Sequence, residues 1–182
     1  MTAVVGLDLS LTATGIATPY GVQTVGSRGK ASDGLAERRH RLKELSTRII
    51  RAITDGTPPN EPWLVVVEAP AFDSRTGHQH DRSGLWWLVV DDLAAWGSTV
   101  VEVTTGGVKK YATGKGNAPK DSVLLAVARR FPDHEVTDNN QADALVLRAM
   151  GCDHLGQPIA TMPQTHRSAL EAIRWPPAAV PA

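Results

Sequence analysis

At 182 residues, 42% apolar and 21% charged, the chain has the size and composition of one soluble globular domain and leaves no room for two large ones. It has no run of about 18 apolar residues, which excludes an ordinary membrane-spanning helix, and its opening lacks a leader pattern, so a cytoplasmic protein is expected. A single cysteine, Cys152, excludes an internal disulfide, and 19 basic residues balance 19 acidic ones, so any grip on a polyanion has to come from local clustering.

Residues 2–9 are apolar on both faces, the pattern of a strand covered by helices on each side, with Asp8 set inside the run. Strands over 13–18 and 21–28 follow, with Pro19-Tyr20-Gly21 as the turn, so the chain is expected to open as an antiparallel meander. Leu35, Leu42, Leu45, Ile49 and Ile53 recur at helical spacing and predict a long amphipathic helix over about 33–53, with arginines on its other face. A loop over 56–62 leads to a strand over 63–68 that ends in Glu68, just before Ala69-Pro70. A helix over 83–96, stopped by Gly97, and a strand over 99–103 come next. Gly106 to Asn117 reads as a lysine- and glycine-rich loop, and Pro119 suits the first turn of a helix that ends at Phe131-Pro132. A last helix is expected over 139–152. The sequence therefore predicts an α/β domain over 1–155, a mixed five-stranded sheet with helices on both faces, followed by a Pro-rich tail over 156–182 with one short helix at 168–174.

Three acids stand out by location: Asp8 inside the first strand, Glu68 at the end of another, and Asp143 in Ala142-Asp143-Ala144-Leu145, otherwise small and apolar. An unpaired buried carboxylate is costly, so such a group stays neutral, finds a partner or holds a metal. If the two strands are neighbours, Asp8 and Glu68 open into one crevice at the strand ends, where open α/β sheets bind ligands, and Asp143 closes it from a helix. Three hard oxygen ligands with open positions suit Mg²⁺ or Mn²⁺. Each acid also has a plainer reading: Asp8 as a turn residue capped by Ser10 or Thr12, Glu68 as a solvated strand end, Asp143 as a helix-surface acid paired with Arg148. Only their coincidence favours the metal.

Four motifs, in this order and at these spacings, resemble the RuvC-type Holliday-junction resolvases, and within them the divergent bacteriophage branch. They are Gly6-Leu7-Asp8-Leu9-Ser10-Leu11-Thr12-Ala13-Thr14-Gly15, Val65-Val66-Val67-Glu68-Ala69-Pro70, Val108-Lys109 through Gly114 and Gly116 to Lys120, and Ala142-Asp143-Ala144-Leu145, spread over 4–150. The resemblance implies an RNase H-like fold, a homodimer, and Mg²⁺-dependent cutting of opposed strands in a four-way DNA junction. It also implies two ions per site, Mn²⁺ as a substitute, and no nucleotide cofactor. Carried over by position, Asp8, Glu68 and Asp143 are metal-binding carboxylates, and Lys109 and Lys120 face the scissile backbone. Two positions depart from the family. Where a fourth ligand usually stands, three residues before the last acid, this chain has Asn140, which offers only a carbonyl oxygen. Asp138 is the nearest extra acid, but five residues turn a helix by about 500°, so it faces about 140° away from Asp143 unless it precedes the helix as its N-cap. The second departure is Phe72, one residue later than the aromatic that wedges into unstacked bases, where stacking is worth ~1–3 kcal/mol. The alternative for Phe72 is a loop residue on the sheet edge.

Basic residues cluster in three places. Lys110 and Lys115, with the small residues around them, are candidate phosphate contacts. Arg75 and Arg82, with His78 and His80, form a second candidate DNA-contacting segment, and no cysteine or acid pattern completes a zinc site around the two histidines. Arg28, Lys30, Arg38, Arg39, Arg41, Lys43, Arg48 and Arg51 form a third group, read either as a track for DNA arms or as an ordinary exposed helix face. Trp86 and Trp87 read as core or dimer-interface aromatics, and a two-fold dimer matches the two-fold symmetry of a junction. Competing functions are a broader fork- and flap-cutting nuclease, an inactive junction-binding module, and a sugar-kinase or actin-like ATPase. The last needs a duplicated domain and wants glycine where Leu9 and Leu11 stand.

Overall fold

The computed structural model describes residues 2–59, 61–70 and 78–176. Five strands form one sheet in the order β3-β2-β1-β4-β5: β1 (Ala3–Asp8), β2 (Thr14–Thr18), β3 (Gly21–Val25), β4 (Trp63–Glu68) and β5 (Thr99–Val103). The first three make the expected antiparallel meander, and β1, β4 and β5 run parallel. Gly6 lies opposite Val66 and Leu7 opposite Val67, so Asp8 and Glu68 finish adjacent strands side by side.

Alternating side chains of β1 and β4 feed two separate cores, which is why both strands read as unbroken apolar runs. Val5, Leu7, Val65 and Val67 pack on α1 (Leu35–Asp55) and α2 (Gln79–Ala95) through Leu45, Ile49, Ile53, Leu85, Val89 and Leu93. Val4, Leu64 and Val66 pack on the opposite layer of α3 (Thr105–Thr113), α4 (Lys120–Arg130) and α5 (Asn139–His154). Fully burying each such side chain contributes about 1.5–3 kcal/mol. The helix α5 lies flush against the sheet. A Cβ on Gly6 would fall 2.0 Å from the carbonyl oxygen of Ala144, and one on Gly15 would fall 2.0 Å from that of Asn140. Two glycines thus let helix backbone touch strand backbone and bring Asp143 down to the ends of β1 and β4.

Three expectations need correction. The segment from Gly106, expected as loop, is largely the helix α3: Thr104 accepts from the Gly107 N–H at 3.1 Å as its N-cap, and Gly114 ends it at φ +81°. Two glycines in its first turn disfavour that helix by up to about 1 kcal/mol each, which burial of Val108, Tyr111 and Ala112 outweighs. The helix α2 starts at Gln79, four residues ahead of the expected Ser83. After Gly156 the chain carries α6 (Gln164–Arg167) and a 3₁₀ turn at Leu170–Ala172, and Ile159, Met162, Leu170, Ile173 and Trp175 pack back onto the α5 core. No helix among the described residues is long and apolar enough to cross a membrane.

Candidate active site

Asp8 ends β1, Glu68 ends β4, and Asp143 reaches them from the first half of α5; one carboxylate oxygen from each lies within 4.8 Å of the others. The plainer readings of Asp8 and Asp143 do not hold. The loop after β1 is closed by Thr14, whose hydroxyl donates to Ser10 O at 2.6 Å and accepts from the Ser10 N–H at 3.0 Å, so Asp8 is not its cap. Arg148 donates through Nε to Val4 O at 3.2 Å rather than to Asp143. Among the described residues no group donates a hydrogen bond to Asp8 or Asp143, and no Lys or Arg makes an ion pair with any of the three acids.

Among the described residues, Glu68 is the one member held by protein. It accepts from the hydroxyl of Thr105, while its main-chain oxygen accepts from Trp86 Nε1 at 3.1 Å. Sequence reasoning missed both roles. A signal for Thr105 existed in the strand register: Val103 pairs with Glu68, so a residue just beyond β5 is bound to lie beside that carboxylate.

The electrostatics follow from crowding three acids in a half-buried place. Burial, reinforced by the charges of Glu68 and Asp143, pushes Asp8 up to about 8. Burial and the charge of Glu68 push Asp143 up to about 7. Burial also raises Glu68, opposed by the Thr105 hydrogen bond and by the positive charges of Lys120 and Lys109. A hard divalent cation would supply the countercharge that this oxygen-only donor set lacks, and the residues present fit such an ion. The carboxylates open into a cleft of about 320 Å³ that is also lined by Ser10, Arg82, Trp86, Lys120 and Asn140.

No protein-family model and no curated protein matches this sequence. Solved structures do match. A Thermus thermophilus RuvC structure superposes with a TM-score of 0.63 at 16% identity, covering 89% of this chain and 100% of that one. T. thermophilus RuvC in complex with Holliday junction substrate gives 0.61 at 15% identity, over 90% and 100%. The fold is that of RuvC. The RNase H-like expectation is therefore met in the architecture, and at so low an identity it is met by shape alone.

Within this RuvC-like fold the other predicted site residues divide clearly. Asn140 and Lys120 line the cleft, and Lys109 acts on Glu68 and Asp143 through its charge. Asp138 does stand before the helix, yet it does not join the carboxylates. Its Oδ1 accepts from the Gln141 N–H at 2.8 Å as the N-cap of α5, and its Oδ2 accepts from the Thr24 hydroxyl at 2.8 Å, so both oxygens are engaged. Arg82 lines the cleft from the first turns of α2. Lys110 sits in the last turn of α3 and Lys115 is exposed just after it, and neither lines the cleft. Phe72 and Arg75 lie outside the described residues.

Proposed function

We propose that this chain is a metal-dependent, structure-selective endonuclease that resolves four-way DNA junctions by paired hydrolysis in opposed strands. The observation that carries the proposal is the group of three carboxylates at the ends of β1 and β4, without an ion-pair partner among the described residues and set beside two lysines. Asp8, Glu68 and Asp143 hold the cations, two per site, with the Asn140 carbonyl at the cleft wall as a further oxygen. When bound, Mg²⁺ or Mn²⁺ supplies Lewis acidity at the scissile phosphate and a lowered pKa for water.

The chain's own residues do the rest. Lys120 in the cleft and Lys109 beside it offset negative charge gathering on the phosphoryl oxygens. Thr105 and Trp86 fix the end of β4, so that Glu68 keeps one orientation as the substrate enters. In the hydrolysis a water oxygen bonds to phosphorus, the P–O3′ bond breaks, and the 3′-oxygen takes a proton, leaving a 5′-phosphate and a 3′-hydroxyl. Two sites must act on opposed strands, which a two-fold homodimer provides. The outer face of α2 is the proposed contact: Trp87 there is 64% exposed and packs edge-on against Trp86 at 4.9 Å.

Asn140, in place of a fourth carboxylate, supports one alternative, an inactive junction-binding module of the same fold. A labelled four-way junction with Mg²⁺, incubated with wild type or Asp8→Asn beside a fork, a flap and linear duplex, decides between them. Paired nicks lost in the variant are the expected result. Equal cutting of forks and flaps widens the activity to debranching. Binding without cutting in either Mg²⁺ or Mn²⁺ overturns the nuclease in favour of the module.

A further inference from the structure

Away from the carboxylates, positive charge gathers where α1, the loop before it and the first turn of α2 meet. A cavity of about 280 Å³ there is lined by Lys30, Arg38, Arg41, His78, Gln79 and His80, with Asp33 at its edge. Buried Asp81 ties the two helices together, accepting from Arg38 Nε at 3.1 Å. Arg41 is served less well. Only 13% of its side chain is exposed, yet its nearest carboxylate oxygens are 3.5 Å away on Asp81 and 3.9 Å away on Asp33, and its buried Nε has no partner. A guanidinium presents five N–H donors in a fixed fork, and two long contacts with Asp81 and Asp33 leave its Nε donor unused. The chain nevertheless keeps room for it: a Cβ on Gly29 would fall 1.2 Å from Nη1 of Arg41, so loop backbone lies directly on the guanidinium. Among the described residues neither the Lys30 ammonium nor the His80 ring has a carboxylate within ion-pair distance.

This pocket adjoins the carboxylate cleft. Gln79 lines both, and Lys30, Arg41 and His78 also line a smaller cavity with Leu11 and Thr12, on the loop that carries on from Asp8, Leu9 and Ser10. We propose that Arg41 and Lys30 bind a backbone phosphate of the DNA strand that crosses the carboxylates, with Arg38 and Asp81 positioning Arg41; the choice of DNA as the polyanion rests on the nuclease reading above. Cations and imidazoles dominate the lining and offer a charge grip rather than a base-reading edge, so the binding is independent of sequence.

The test is binding of the full chain to a fluorescent four-way junction and to duplex, in EDTA, from 50 to 200 mM salt. Lys30→Ala, Arg41→Gln and, as a control on the solvent side of α1, Arg51→Ala are compared with wild type; Arg51 is 82% exposed. Removing one cation that neutralises a DNA phosphate lowers the slope of log K against log salt by about 0.9. Lys30→Ala and Arg41→Gln are expected to lower the slope by about that amount on both DNAs, with Arg51→Ala unchanged. Lys30 is exposed, so its variant keeps the test valid if Arg41→Gln fails to fold. An unchanged slope in Lys30→Ala overturns the site, as does wild type that binds no DNA. A wild type–variant difference erased by inorganic phosphate at constant ionic strength reassigns the pocket to free phosphate and likewise overturns it. If wild type cuts nothing but the slope still falls, the phosphate site stands and the nuclease reading alone is lost.

Discussion

Two acids of one helix, Asp143 and Asp153, are separated by ten residues of α5 and treated in opposite ways. Asp153 is buried and fully served: Tyr111 donates its hydroxyl at 3.1 Å, and Arg167 donates from Nε at 3.0 Å and Nη2 at 2.8 Å. Asp143 receives no hydrogen bond among the described residues and is grouped with two more acids. Burial is common to both. What separates a structural acid from a site acid is whether the fold brings its own cation, which for Asp153 arrives on α6.

The largest effect that tests this contrast is on Asp8. Asp8→Asn is expected to cut junction cleavage by on the order of a thousandfold, about 4 kcal/mol of barrier, read in single-turnover assays. The same variant is expected to raise the stability of the metal-free protein. Asp8 and Asp143 sit at about 8 and about 7 when folded, above their ordinary 3.8, so their contribution is complete below pH 4 and is lost as pH rises through 7 and 8. Metal-free wild type should therefore melt lower at pH 8 than at pH 5, and Asp8→Asn should flatten that decline; a flat wild-type profile would break the contrast. Next in size, Asp153→Ala strands Arg167 and Tyr111 and should cost about 3 kcal/mol in denaturant unfolding, discounted from the upper range because Arg167 is 46% exposed. Turnover per folded molecule should stay close to wild type. Mg²⁺ at about 100 times its Kd should stabilise wild type by about 2.7 kcal/mol in a thermal shift and leave Asp8→Asn nearly unmoved. The smallest effect belongs to Thr105→Val, which removes the one hydroxyl on Glu68 and should cost about 1.4 kcal/mol, a tenfold rise in the Mg²⁺ needed for half-maximal protection.

Much of this was legible in the residues. Two-sided apolar runs identified β1 and β4, and a carboxylate at the end of each pointed to a shared crevice that the parallel register then supplies. Asp138 stands as the N-cap of α5, the one placement in which helical rotation does not turn it away from Asp143, and what occupies its oxygens is hydrogen bonding to Gln141 and Thr24. Its engagement by Thr24 was not legible, because the hydrogen bond spans 114 residues of chain. The helix α3 was missed for a local reason: Gly106 and Gly107 argue against a helix, and the burial of Val108, Tyr111 and Ala112 reverses that preference. Arg167 gave no sequence signal at all, since it lies in a segment whose prolines read as irregular and its partner is on another helix.

The flush seating of α5 on Gly6 and Gly15 has an effect on what mutation can change. The depth of Asp143 relative to Asp8 is set by main chain resting on main chain, not by any side chain that substitution could resize. The apolar residues around α5 are therefore free to drift in shape without detuning the distance between the acids. Conversely, Gly6→Ala, a change of one methyl group at a buried position beneath α5, would lift the helix and pull the third carboxylate out of reach. In this protein the ruler of the carboxylate cluster is two missing side chains.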